Sequence, residues 1–220
     1  IRDSLQVDSA TPGKEYILAL DQSPFYAESG GQIGDTGIVA WDGGQANVLD
    51  TVKTPSGLFV HHIEVMDGVL TIDEAVRLEI DTVRRLRLCA NHSATHLLHE
   101  ALRGVLGDHV AQKGSMVSAD RLRFDFSHPK AVSPAELALV QDIVNERIRT
   151  NSDVSTRIMT PDAAIKLGAL ALFGEKYGEE VRVVQMGGLA ENGSDKAWSI
   201  ELCGGTHVTR TGDIALLKIL

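Results

Sequence analysis

The chain reads as an α+β protein: a small N-terminal β-barrel over residues 1–80, then an α+β domain over 81–220 with two long helices packed on a mainly antiparallel sheet. Three observations predict this. Residues 1 to about 80 are a series of short β-rich runs separated by turn signals. At Asp81 the apolar period changes from two to that of a helix. The chain is 220 residues long and 43% hydrophobic, enough for one large core or two small ones.

The first strands are Tyr16–Asp21, Gly37–Trp41, Ala46–Lys53, Leu58–Met66 and Ala75–Ile80. Pro12-Gly13, Asp42-Gly43-Gly44, Pro55-Ser56-Gly57 and Asp67-Gly68 separate them. Short strands at this spacing suggest a small barrel. From Thr82 to Leu106, the residues Leu86, Ala90, Ala94, Leu97, Leu98, Ala101, Leu102 and Val105 mark one helix face. Gly107 is its expected stop. Ser115–Val117 and Leu122–Phe126 read as strands joined at Ala119-Asp120. Ser133, Pro134 and Glu136 are the cap, first residue and capping-box partner of a second helix, whose core face is Leu137, Val140, Ile143, Val144 and Ile148. A strand over Val154–Met159, a short helix over Pro161–Leu167 capped by Thr160, and strands over Val181–Met186, Ala197–Leu202 and Asp213–Leu220 complete the reading.

Composition narrows the functions. The formal net charge of −9 makes the chain a poor non-specific binder of nucleic acid, so any RNA needs a local basic patch; Arg77, Arg84, Arg85 and Arg87 are the candidates. Two cysteines, Cys89 and Cys203, do not make a disulfide framework and suit a reducing cytoplasm. No apolar run approaches the ~20 residues of a membrane span, and no signal-peptide pattern opens the chain. The start at Ile1 and the stop inside the run Ile214–Leu220 suggest a piece of a longer protein.

Two short stretches carry the chemistry. In His92-Ser93-Ala94-Thr95-His96 the histidines are four apart and share one helix face. In Cys203-Gly204-Gly205-Thr206-His207 a thiol and an imidazole flank a glycine turn. One cysteine and three histidines suit zinc in tetrahedral geometry. His99 lies on the ligand face one turn further on, so 92/96 and 96/99 are both possible helix pairs. Cys203 with a histidine partner is also a possible nucleophile. Gln112, Lys113 and Ser115 could face the metal across a short strand, or form an exposed turn. His61, His62, His109 and His128 read as strand, loop or core histidines.

Other chemistries lack their patterns. The stretch from Ser29 to Gly37 fits neither G-x-G-x-x-G nor G-x-x-x-x-G-K-[ST], so it is not a nucleotide cradle. It is either a loop of tight turns or a bare backbone that approaches a ligand or a neighbouring domain. Ser93 stands where a zinc protease needs glutamate, Ala94 where a deaminase needs it, and no G-x-S-x-G occurs.

Five blocks in order resemble the editing region of alanyl-tRNA synthetase: Ser23 to Gln32, His92-x-x-x-His96, Leu122 to His128, Ala171 to Gly178, and Glu201 to Val208. Free-standing AlaX editing proteins share that fold, and a related domain edits in threonyl-tRNA synthetase. The resemblance implies hydrolysis of mischarged Ser-tRNA(Ala) and Gly-tRNA(Ala). It implies one zinc held by His92, His96, Cys203 and His207, which demotes His99. It places Gln112 at the editing pocket and implies tRNA(Ala) and the rest of a parent synthetase as partners. Gln112 or Thr206 would position a water or the seryl hydroxyl. The family's ATP-dependent aminoacylation site lies outside such a region. A tRNA-binding module with a structural zinc, a free-standing AlaX-type enzyme and a small-ester hydrolase are the alternatives.

Overall fold

A computed structural model of the chain describes residues 6–170, 178–187 and 197–220. The chain divides into two compact units: the described part of Ile1–Ser29 with Ile33–Arg85, and Gly30–Gln32 with Leu86–Leu220. The boundary therefore falls inside a helix, and a three-residue loop segment groups with the second unit.

In the first unit β1 (Ser9–Ala10), β2 (Glu15–Ala19), β3 (Gly37–Trp41), β4 (Gly44–Lys53), β5 (Phe59–Asp67), β6 (Leu70–Thr71) and β7 (Arg77–Ile80) are all antiparallel in their pairings. The expected strands are present, with ends shifted by up to two residues. The expected barrel is not. The main sheet has the order β2-β5-β4-β3-β7, and β1 pairs only with β6. Among the described residues β2 and β7 remain the two edges of an open sheet. Strand number and spacing predict the strands, but closure depends on which edges pair, and spacing does not encode that. One face of the sheet buries Val39, Trp41, Ala46, Val48, Ile63 and Val65 around Phe25. His61 belongs to this core: its Nε2 lies 2.7 Å from Ser23 Oγ and its Nδ1 3.2 Å from the Leu18 carbonyl.

The arginines of the expected basic patch are partly committed to this unit. Arg85 forms an ion pair with the buried Asp35, and Arg84 Nη1 donates to the Gly34 carbonyl at 2.7 Å. These two guanidinium groups brace the Gly34-Asp35 turn, so they do not form a free cationic face.

The second unit is built on α1 (Thr82–Leu106) and α2 (Pro134–Arg149). Cys89, Ala94, Leu97, Leu98, Ala101 and Leu102 of α1 meet Val140, Val144 and Ile148 of α2 and Val184 and Met186 of β11 (Val181–Met186) in one core. The 3.6-residue period places these side chains on single faces. α2 opens on the expected capping box, with Ser133 and Glu136 bonded reciprocally. α3 (Pro161–Leu167) is capped by Thr160, and Gly168 ends it in the left-handed region. The expected antiparallel sheet is present as two pieces: the hairpin of β8 (Gln112–Val117) and β9 (Leu122–Phe126), and the sheet β10 (Ser155–Met159)-β11-β12 (Ser199–Leu202).

The expected strand over Asp213–Leu220 is absent. A 3-10 turn covers Thr211–Ile214, and no regular element follows. The reason lies in α2. The Asn145 side chain accepts from Leu217 N–H and donates to Leu217 C=O, both at 2.9 Å, and Gln141 accepts from Ile219 N–H at 3.0 Å. Side-chain amides on a helix take the place of a neighbouring strand, which satisfies the backbone without a sheet. The block from Ala171 to Tyr177 lies outside the described residues.

Candidate metal centre

α1 and the turn after β12 bring four side chains together. His92 and His96 are one helical turn apart, and their rings stack at 5.3 Å with an interplanar angle of 10°. His207 faces both, with ring centroids 4.6 Å and 5.0 Å away. The Cys203 Sγ lies 3.4 Å from Nε2 of His92 and 3.4 Å from Nε2 of His207. One donor atom from each of His92, His96, Cys203 and His207 falls within 4.8 Å of the others, so the group could hold a metal ion. His99 is not in that group; its Nδ1 bonds to Glu201 instead.

The other ring nitrogens are turned outward to distinct partners. His92 Nδ1 lies 2.7 Å from Gln32 Oε1, His96 Nδ1 2.7 Å from Glu201 Oε2, and His207 Nδ1 3.3 Å from Ser93 Oγ. His96 Nε2 is buried and has no partner among the described residues. Three histidines bonded through Nδ1, with Nε2 of His92 and of His207 beside a thiol sulfur and a carboxylate behind His96, suit zinc. The residues present therefore fit the metal that the sequence implies.

The electrostatics agree. Burial disfavours the Cys203 thiolate, but the surrounding imidazoles of His207, His92 and His96 outweigh it and hold the thiol far below its usual range. Burial pushes His207 down. Burial also opposes a charge on His96, and the Glu201 carboxylate more than reverses this. Glu201 itself would be raised by burial and is instead held low by His96 and His99.

The turn carrying Cys203 is held by Arg182, whose Nη1 donates to the carbonyls of Cys203 at 3.0 Å and Gly205 at 2.7 Å. Gly205 is packed so tightly that a Cβ there would stand 2.0 Å from His92 Cε1. Thr206 donates to Gln32 Oε1 from its backbone N–H at 3.0 Å and from its hydroxyl at 3.1 Å. Gln112 opens β8, half-buried and opposite Phe126, and among the described residues no hydrogen bond joins its side chain to the cluster. Lys113 is exposed, and Ser115 is half-buried. His109 and His128 stack on each other at 5.1 Å.

Sequence reasoning did not single out Gln32, Glu201, Ser93 or Arg182. Glu201 had a signal: it lies two residues before Cys203 at the end of a strand, which puts both on one face. Ser93 adjoins a ligand. Gln32 and Arg182 are distant in sequence from what they hold, and only the fold reveals them.

Fold and site together define an α+β protein with a candidate centre of three histidines and one cysteine, and the family comparisons give that class a lineage. Residues 1–84 match the model for class II (A) tRNA synthetases, and residues 181–220 match that for the threonyl and alanyl tRNA synthetase second additional domain. The chain is 57% identical over 221 residues to the alanine–tRNA ligase of Sinorhizobium medicae (strain WSM419). It is 58% identical over 222 residues to that of Ruegeria sp. (strain TM1040) and 55% over 221 to that of Rhizobium meliloti (strain 1021). Each alignment covers 100% of this chain and 25% of the relative. Along its whole length the chain is thus similar to the alanine–tRNA ligases, and it spans a quarter of the length of the curated relatives it matches.

Proposed function

We propose that this chain is an editing hydrolase of the alanyl-tRNA synthetase type, which removes serine or glycine esterified to tRNA(Ala) at a zinc site. The observation that carries the reading is the convergence of His92, His96, Cys203 and His207 on one point, with two of the four inside the segment that matches the second additional domain. The need for such a reaction is physical. A pocket built for alanine discriminates against one missing or added small group by only ~1–3 kcal/mol, so a second site must hydrolyse the errors.

His92, His96, Cys203 and His207 are the proposed zinc ligands. Bound zinc supplies Lewis acidity to an ester carbonyl or a neighbouring water. Thr206 donates its hydroxyl proton to Gln32, so its oxygen is left to accept from a water or a seryl hydroxyl. Gln112 is proposed as the second polar group addressing the substrate. The partners are the acceptor end of tRNA(Ala) and the rest of a synthetase, in the cytoplasm. Among the described residues no helix is long and apolar enough to cross a membrane.

One observation favours a second reading. Four protein donors fill a tetrahedral site, and closed sites are usually structural. On that reading the chain is a tRNA-binding module that cleaves nothing. The deciding experiment measures release of serine from Ser-tRNA(Ala) by the full chain, with Ala-tRNA(Ala) as control. Loss of serine with alanine retained supports the hydrolase. Retention of both esters by a folded, zinc-loaded chain refutes it.

A further inference from the structure

We infer that Gln32 is a positioning residue for the metal centre, and that its amide oxygen holds His92 in the tautomer that leaves Nε2 free for the ion. The inference rests on the metal reading above and adds to it a residue sixty positions away from the ligand it serves.

The orientation of the amide follows from its partners. A backbone N–H can only donate, and that of Thr206 meets the Gln32 amide at 3.0 Å. The atom it meets is therefore the carbonyl oxygen. The same oxygen stands 2.7 Å from His92 Nδ1. Two acceptors do not approach so closely, so Nδ1 carries the proton. In a neutral ring Nε2 is then bare, and Nε2 is the nitrogen 3.4 Å from Cys203 Sγ. Gln32 thus joins three segments, at positions 32, 92 and 206, through a single oxygen.

The loop is built to deliver that oxygen. Gly31 C=O accepts from Val117 N–H at 2.8 Å, and Gln32 forms a parallel bridge with Val117. Gly31 has φ +84°, and a Cβ there would lie 2.5 Å from the Ser115 carbonyl oxygen. Only glycine allows the loop to lie this close to β8. Asn91 Nδ2 donates to the Ser118 carbonyl at 2.8 Å, which ties α1 to the end of the same strand. The Gln32 side chain is wholly buried, yet its Nε2 has no partner among the described residues. A buried amide with its donor side unused costs stability. What it gains is all on the oxygen side, where three donors meet.

The test is Zn2+ affinity of the full chain, measured by competition with a chromophoric chelator, for wild type, Gln32→Leu and Gln32→Glu. Leucine keeps the bulk and removes the acceptor. Glutamate keeps an acceptor oxygen, exchanges the unpartnered donor for a second oxygen and adds a charge. The expected result is a loss of roughly 10–100-fold for Gln32→Leu and wild-type affinity within a few-fold for Gln32→Glu. Wild-type affinity in Gln32→Leu overturns the inference. So does a fall in Gln32→Glu as deep as in Gln32→Leu, because keeping the acceptor oxygen would then not keep the metal. A second measurement needs no variant: in the zinc-loaded chain, nitrogen NMR should find the His92 proton on Nδ1, and a proton on Nε2 overturns the assignment. A wild type that binds no zinc at all removes the metal reading itself, whereas zinc binding indifferent to Gln32 removes only this inference.

Discussion

Glu201 Oε2 stands 2.7 Å from His96 Nδ1, with both side chains buried. The other carboxylate oxygen is 2.9 Å from His99 Nδ1, so one acid orients a proposed ligand and a neighbouring histidine at once. A carboxylate behind a ligating imidazole fixes its orientation and raises its basicity. Glu201→Gln keeps the shape but has one acceptor where two are needed. Its zinc affinity should fall roughly tenfold or more in a chelator competition. Unchanged affinity would show that the acid is only a packing element.

Gly205→Ala tests how closely the cysteine turn must approach α1. A Cβ at 2.0 Å from His92 Cε1 cannot be accommodated without moving the ring. The variant should keep its far-UV circular dichroism and lose most of its zinc. Full metal loading in Gly205→Ala would contradict the packing described here.

Asn145→Ala probes the irregular C-terminal segment. Removing the amide leaves the buried Leu217 N–H and C=O without partners, at a cost of roughly 2–4 kcal/mol for the pair. Chemical denaturation should report that loss, and the Leu217 amide should exchange faster with solvent.

Glu136 gives a pH-dependent prediction. The backbone N–H and then the hydroxyl of Ser133 donate to its carboxylate and lower its pKa from 4.5 to about 2. The folded state therefore favours the ionised form. Its contribution is complete above pH 4.5 and disappears as the pH falls towards 2. The gap in Tm between wild type and Glu136→Gln should close over the same interval. A gap that persists at the acid end would mean that the capping box is not the source.

Much of this was legible where the signal is local. The helical period of Leu97, Leu98, Ala101 and Leu102 marks α1, and Ser133-Pro134 with Glu136 marks the start of α2, because caps and faces are written within a few residues. The histidine pair and the cysteine turn were legible for the same reason. What the sequence hid is long-range. Among the described residues the N-terminal sheet is open, and no spacing records which edges pair. Asp213–Leu220 has strand-like composition, yet Asn145 and Gln141 bind its backbone from a helix. Arg84 and Arg85 look like a patch for RNA until Gly34 and Asp35 are found beneath them.

The central claim is that His92, His96, Cys203 and His207 form one metal centre. The most direct measurement is the zinc content of the purified chain by mass spectrometry, for wild type and Cys203→Ser. The account predicts one zinc per chain in wild type and its loss in the variant. A folded wild-type chain that takes up no zinc, or a variant that keeps it, would contradict the account.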